Sequence, residues 1–526
     1  MAHLFYLGSF LLLAAVGTAA WFYPQVLWSL LLLLPLIGLG LRDALQPRHA
    51  ILRNFPLLGR LRYFFERIRP EIRQYFMESD TDGRPYDREH RSVAYQRAKK
   101  VLETVPFGTK RNLYEPGYEW IHHSIAATHP PHDPPRVRIG EGRCAKPYDA
   151  ALLNVSAMSF GSLSAAATRA LSDGARQGGF FHNTGEGGVA PHHLEPGGDL
   201  CWQVGTGYFG CRERDGRFSR AAFSETVAPD NVRMVEVKLS QGAKPGHGGI
   251  LPAKKITPEI AAIRLVDMGS DVLSPPAHTA FDSPTGLLEF ITDLREASGG
   301  KPIGFKLCVG NPSDFLGICM AMRKTGLRPD FITVDGGEGG TGAAPLEFTN
   351  RVGSPLTEGL AFVHSALTGF GLRDEIKLIA SGKILSGFNM AARIAAGADL
   401  CNSARGFMFA LGCIQALKCN SNECPVGVAT QDPKLTRGLV VGDKAVRVAN
   451  YQQETVEAFL ELLGAAGLDH PDRLGPHHIH RRISRTEVQT YAEIFDYLEP
   501  GSLLDGTPPA AFAPWMARAS AERFTV

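Results

Sequence analysis

Eight short apolar runs succeed one another between residues 152 and 403, at 152–159, 180–184, 234–239, 272–274, 303–308, 331–335, 378–380 and 400–403. Stretches with helical spacing separate most of them, at 162–177, 257–268, 286–298, 358–371 and 386–396. Strands that alternate with helices pair in parallel, because each helix returns the chain to the same end of the sheet. A count of eight closes such a sheet on itself. The pattern therefore predicts an α/β fold, a (β/α)8 TIM barrel, over an open doubly wound sheet. The long stretches 185–232 and 241–256 would lie at the C-terminal face of that barrel, where catalysis is placed in this architecture.

The chain has 526 residues, so the barrel leaves segments on both sides. Residues 4–22 and 26–41 carry no charge and are each near the length that crosses hydrocarbon. Tyr23-Pro24-Gln25 is a tight turn between them, with Trp21, Tyr23 and Trp28 placed as interfacial rings. This predicts a transmembrane helical hairpin over 1–42; the competing reading is a signal peptide, although no Lys or Arg precedes the first run. Arg42, Arg48, Arg53, Arg60, Arg62, Arg67, Arg69 and Arg73 follow. Positive flanks stay inside, so the expected location is the cytoplasmic (inner) membrane with the catalytic domain facing the cytoplasm. These arginines either meet anionic headgroups or form a solvated basic linker. Residues 43–125 read as a basic and aromatic accessory region, 126–440 as the barrel, and 441–526 as a helical C-terminal extension with amphipathic stretches at 454–463 and 485–497. A net charge of only +2 gives no reason to expect nucleic acid.

Nine cysteines are present, an odd number, and six are scattered, which argues against a disulfide framework and for a reducing compartment. Cys413, Cys419 and Cys424 are grouped in LGCIQALKCNSNECPVGVATQ with spacing C-x5-C-x4-C. Thiolates this close in sequence can converge on an iron–sulfur cluster, either a 3Fe-4S centre or a 4Fe-4S centre with one open iron. Zinc, which wants four ligands at shorter spacings, fits poorly. On spacing alone, three structural cysteines in a loop remain an equal reading.

At that loop the chain resembles the glutamate synthases. SAMSFGSLS (156–164), TGEGG (184–188), KLSQGAKPGHGGILP (238–252), SPPAHTAFDS (274–283) and GGEGGTGAAP (336–345) occur in that family's order. The resemblance covers about 150–431, the FMN-binding synthase domain. It is similar to the stand-alone branch of the family, because the chain opens Met-Ala-His where the glutaminase domain opens on a nucleophilic cysteine. The resemblance implies FMN across the barrel mouth and a cluster on Cys413, Cys419 and Cys424.

A flavin phosphate needs closely approaching backbone N–H groups, which suits Gly339, Gly340, Thr341 and Gly342, then Ser381, Gly382 and Lys383, then Arg405 and Gly406. By resemblance Ala157, Met158 and Ser159 pack on the flavin. Lys306 would hold negative charge on its reduced form. The 2-oxoglutarate loop of the family carries over to Lys238, Gln241, Lys244 and Arg264, cationic or polar partners for a dicarboxylate. Glu186 carries over as the group that orients or protonates an imine. The chain departs at His247 and Ile250, where the family usually has Glu and Gln, so the substrate pocket is expected to differ.

The implied reaction joins 2-oxoglutarate, or a related keto acid, with ammonia and reduces the imine to glutamate. Ammonia would come from solution or an amidotransferase partner, and electrons from a ferredoxin-like or other donor protein. N-methylglutamate chemistry and membrane-associated electron transfer are the alternatives.

Overall fold

Successive residues of a β-strand face opposite sides, so a strand lining a barrel must alternate between helix-facing and lumen-facing side chains. The computed structural model describes residues 2–101, 104–129, 131, 133–504 and 506–525. Eight parallel strands close into a barrel: β1 (Leu153–Val155), β2 (His182–Asn183), β3 (Leu200–Val204), β4 (Val232–Lys238), β5 (Ile303–Cys308), β6 (Phe331–Asp335), β7 (Lys377–Ser381) and β8 (Leu400–Ser403).

In β4 the helix-facing set is Val235 and Val237, buried in the main core, while Met234, Glu236 and Lys238 alternate inward. The lumen is therefore layered. Cys201, Met234, Phe331, Ile379 and Leu400 fill its lower end, which the hairpin Val137–Ile139/Tyr148–Ala150 closes with Ile139, Tyr148 and Ala150. Above them the lumen turns polar. Glu236 Oε1 accepts from Asn183 Nδ2 at 2.9 Å and Gln203 Nε2 at 2.6 Å, and Oε2 accepts from the Thr333 hydroxyl at 2.6 Å. A buried carboxylate costs little here because it is hydrogen-bonded on both oxygens.

One of the eight expected strands is not in the barrel. Residues 272–273 instead pair antiparallel with Ile250–Leu251 in a two-stranded sheet outside it. The missing member is β3, which lies inside the stretch 185–232 that reads as one long loop. Its alternate residues Cys201 and Gln203 face the lumen, so it lacks the continuous apolar run that marks most of the other strands.

The connecting helices are capped by short polar side chains. Ser164 accepts from Ala167 N at the start of α5 (Ala165–Gly178), Ser283 from Gly286 N at the start of α8 (Pro284–Ala297), and Ser386 from Asn389 N at the start of α11 (Gly387–Ala395). The other connectors are α6 (Arg220–Val227), α7 (Pro258–Arg264), α9 (Pro312–Thr325), α10 (Leu356–Gly369) and α12 (Arg405–Ala410). The 25-residue α13 (Val441–Ala465) packs on α5. Their approach is so close at Gly174 that a Cβ there would lie 2.4 Å from Val448. The amphipathic helix expected at 485–497 is absent. Ile479–Arg482 pairs with Val488–Thr490, and only the single turn Tyr491–Ile494 is helical. Val488 is a β-branched strand residue, and the 3.6-residue pattern there was fortuitous.

The chain divides into two units, 1–85 and 86–526. In the first, α1 (Ala2–Phe22), α2 (Leu30–Leu45) and α3 (Leu58–Ile72) follow one another. The segments Ala2–Phe22 and Pro24–Leu45 are long and apolar enough to cross a membrane, a description that a membrane anchor and a signal sequence both meet. The helix α4 (Arg88–Lys99) belongs to the second unit and packs against α12 and α13.

Candidate active site

The inward alternation that makes the lumen polar ends, at the C-terminal mouth, on Lys238 of β4, Lys306 of β5, Asp335 of β6 and Ser381 of β7. Above them a cavity opens to solvent. Ala157, Met158 and Ser159 after β1, Lys306, the loop Gly339–Gly342, the turn Ser381–Lys383 and Arg405 all line it. So do Glu186, Gln241, Lys244 and Cys419.

Two charge pairs organise the floor. Lys306 Nζ meets Asp335 Oδ2 at 3.0 Å. Burial opposes the Lys306 charge, but Asp335 and Glu236 outweigh it and raise the ammonium pKa. Asp335 also accepts from Gly242 N at 3.1 Å, which ties the loop after β4 to the loop after β6. A Cβ on Gly242 would sit 1.9 Å from the Gly336 carbonyl oxygen, so this approach requires glycine. Gly242→Ala should cost about 1–3 kcal/mol of stability and lower retained flavin. Thermal unfolding and flavin content per chain check this.

The second pair is Lys238 Nζ with Glu186 Oε2 at 2.9 Å. Burial by itself would raise the Glu186 pKa. Lys238 outweighs it, with Lys244 and Arg264 adding to the effect, and the carboxyl stays below its usual range. Its loop is anchored from beneath, since Asn183 Oδ1 accepts from Gly185 N at 3.1 Å while Asn183 Nδ2 reaches Glu236. His278 donates from Nε2 to the Lys238 carbonyl at 2.9 Å and accepts at Nδ1 from the Tyr208 hydroxyl at 3.0 Å. Burial pushes this histidine down to about 4, so it is a neutral strut.

Arg264 closes the site from α7. It is 4% exposed, and its Nη2 donates to the Phe160 carbonyl at 3.0 Å and to Ser159 Oγ at 3.4 Å, while the guanidinium lies 5.1 Å from the Phe209 ring centroid. Its Nε has no partner, and burial lowers its pKa to about 10. Lys244, equally buried, is lowered to about 8 by the same cause. Two buried cations that share one carboxylate leave positive charge for an anion to neutralise.

Not every expected residue lines the cavity. Lys238 and Arg264 act from behind Glu186 and Ser159. Gly406 packs against Tyr451, where a Cβ would lie 2.1 Å from the phenol oxygen, far inside van der Waals contact. His247 is turned away: its Nδ1 is 3.0 Å from the Gly248 carbonyl and its ring packs edge-on to Phe348. Ile250 does line the cavity. Tyr86, Gln203, Asp335 and Lys255 line it too and were not singled out by sequence reasoning. Asp335 ends an expected strand and was findable; Gln203 went with the overlooked β3, and Tyr86 lies far from every motif.

The flavin fit rests on the cradle. A Cβ on Gly340 would approach Arg405 Nη2 at 3.1 Å, and Arg405 Nη2 donates to the Thr341 carbonyl at 3.1 Å, so the two loops meet with no room for a side chain. Cys413, Cys419 and Cys424 lie in the loop after α12, all as free thiols. Gln415, Leu417 and Asn422 there adopt left-handed backbone, which folds the loop back on itself. Burial, with Cys419 and Cys424 nearby, raises the Cys413 pKa to about 11, and Lys255 stands close to the latter two. The donor set suits iron and sulfide, but among the described residues no three ligating side chains converge as a metal site.

Residues 136–469 match the conserved region in glutamate synthase. The glutamate synthase large subunit-like protein YerD of Bacillus subtilis is 38% identical over 479 residues, covering 84% of this chain and 91% of that one. An archaeal glutamate synthase (NADPH) of Methanocaldococcus jannaschii is 36% identical over 317 residues, 60% of this chain and 59% of that one. Among solved structures, a mandelate oxidase variant with a monooxide FMN adduct is similar at 13% identity with a TM-score of 0.41, covering 76% of this chain and 91% of that one.

Proposed function

The chain belongs to the glutamate synthase family, and on that basis we propose that it is an FMN- and iron–sulfur-dependent oxidoreductase that forms glutamate from 2-oxoglutarate, or a closely related keto acid, and ammonia. The observation that carries this reading is the grouping of Arg264, Lys244 and Lys238 around one carboxylate, Glu186, at a glycine-cradled barrel mouth. A module limited to electron transfer has no use for three buried cations.

FMN held by the Gly339–Gly342, Ser381–Lys383 and Arg405 loops would supply the hydride, and Cys413, Cys419 and Cys424 would hold an iron–sulfur cluster that connects it to an external donor protein. The chain's own groups do the rest. Lys244, in the cavity wall, pairs with a carboxylate of the keto acid, and Arg264, set behind Ser159 with an unpartnered Nε, adds positive charge. Condensation with ammonia releases water; addition of a hydride to carbon and a proton to nitrogen then completes the amine. Glu186, kept ionised by Lys238, orients the nitrogen by accepting its N–H. Lys244, with a pKa of about 8, is the group poised to deliver and recover a proton near neutrality. Ile250 presents an apolar wall to the cavity, which favours a less polar keto acid or an N-alkylated amine as an alternative substrate.

The lowered Lys244 pKa has a definite sign. Below about 8 the ammonium is charged and binds carboxylate; above it the charge is lost, so KM for the keto acid should rise with increasing pH. Lys244→Arg keeps its charge over that range and should flatten the rise. The reading as a whole is tested by anaerobic purification, assay of FMN, iron and sulfide, and turnover with reduced ferredoxin, ammonia and 2-oxoglutarate. Glutamate formation is expected; flavin reoxidation without glutamate rejects the proposal. We further propose that α1 and α2 anchor the enzyme in the cytoplasmic membrane, with the barrel on the cytoplasmic side.

A further inference from the structure

The segment after α2 carries a pattern that the barrel chemistry does not use. Along α3, Leu58, Leu61, Phe65, Ile68 and Ile72 fall on one stripe at three- and four-residue intervals. Arg62, Arg69 and, just past the helix end, Arg73 border it on one side. A helix with such a stripe ordinarily buries it. Here Gly59 is the helix's one buried residue, while Leu58, Leu61 and Phe65 are each more than half exposed. The turn that follows adds Tyr75, Phe76 and Met77, again exposed. A groove runs beside the C-terminal half, with Phe65, Ile72 and Met77 in its wall; Arg62, Arg69 and Arg73 line it together with Glu66, Glu78 and Asp82, and Arg62 meets Glu66 at 3.8 Å and Arg73 meets Glu78 at 3.6 Å.

Charge and position both select the occupant. Residues 46–82 hold seven arginines against Glu66, Glu71, Glu78, Asp80 and Asp82, with no lysine, so the segment is basic on balance. The start of α3 is pinned to the last turn of α2: Arg60 Nε and Nη2 donate to Asp43 Oδ2 and Oδ1 at 2.7 and 2.6 Å, and Leu57 N donates to Asp43 Oδ2 at 3.3 Å. The arginine-bordered stripe therefore begins where the apolar helix ends.

We propose that α3 lies in the plane of the membrane surface, its Leu58–Ile72 stripe sunk to the acyl boundary and its arginines on anionic phosphate headgroups. The location at the end of α2 rests on the anchor reading of α1 and α2; the stripe and its charge do not. Helices of this type bind by buried apolar area plus attraction to anionic lipid. Docking would hold the chain leaving the membrane flat against the leaflet.

The test uses the full chain in lipid nanodiscs of phosphatidylcholine with or without phosphatidylglycerol. A single 4-trifluoromethyl-phenylalanine replaces Phe65 on the stripe, Tyr63 on the opposite face, or Phe10 in α1. Fluorine relaxation by dissolved oxygen reports hydrocarbon, and relaxation by a water-soluble gadolinium chelate reports solvent. Position 65 should respond to oxygen in the phosphatidylglycerol discs and position 63 to gadolinium. Replacing Arg62, Arg69 and Arg73 together by glutamine should weaken docking about 100-fold and return position 65 to solvent. Gadolinium relaxation at position 65 in the anionic discs overturns the inference. So does protection from both probes, which would mean a protein surface, such as a second copy of this chain, covers the stripe. An equal oxygen response in neutral discs overturns the anionic headgroup assignment. Position 10 decides the anchor separately, so the two readings fail independently.

Discussion

Replacing Arg264 by alanine should lower kcat/KM for the keto acid by roughly 100-fold, mainly through KM, while leaving flavin content unchanged. The magnitude follows from about 3 kcal/mol for removing one buried, hydrogen-bonded partner of a charge. The guanidinium sits in a nearly dry pocket with an open Nε, so water cannot replace what it offers an anion. Arg264→Lys should recover part of the loss, because it restores the charge but not the planar fork that holds Ser159 and Phe160. Steady-state kinetics with flavin quantitation distinguishes the outcomes. An unchanged KM would remove Arg264 from the substrate site. Loss of flavin would assign it to the scaffold, through its bonds to Ser159 and Phe160.

Glu186→Gln should have the largest effect on kcat, about 100-fold or more. The amide keeps the shape but cannot hold the positive charge of an iminium nitrogen, and it leaves Lys238 buried beside a neutral group. In the native enzyme the acid limb of the pH–rate profile should lie below the usual carboxylate range, because Lys238, Lys244 and Arg264 overcome the burial that would raise it. As pH falls through that depressed value, the carboxylate protonates and activity is lost. In Glu186→Gln this limb should vanish. A variant that keeps both its rate and its acid limb would assign the limb elsewhere and reduce Glu186 to a partner of Lys238.

Much of this site could be read before any fold was known. The glycine loops after β6 and β7, Lys238 with Lys244 and the cysteine triplet each sit in a short contiguous motif, and contiguous motifs survive without tertiary information. Strand identity was less legible. The count of eight was right, yet one member was misplaced. A lumen-lining strand needs apolar residues on one face only, so Leu200–Val204, with Cys201 and Gln203 turned inward, was overlooked. Val272–Leu273 looked like a strand of the barrel and belongs to a separate two-stranded sheet. The C-terminal pattern at 485–497 failed for a similar reason: a few apolar residues at chance spacing cannot distinguish a helix from a strand and a turn.

Residue type and local order were enough to establish the parallel barrel, the family and the supply of charged groups. Which charges pair was decided only by closure of the barrel. Lys238 meets Glu186 from 52 positions away and Lys306 meets Asp335 across neighbouring strands, while Arg264 is left with no carboxylate of its own. Periodicity assigns a side chain to a face. The distance between two faces across the mouth depends on strand register and on the number of strands that close the ring, and those are properties of the assembled sheet.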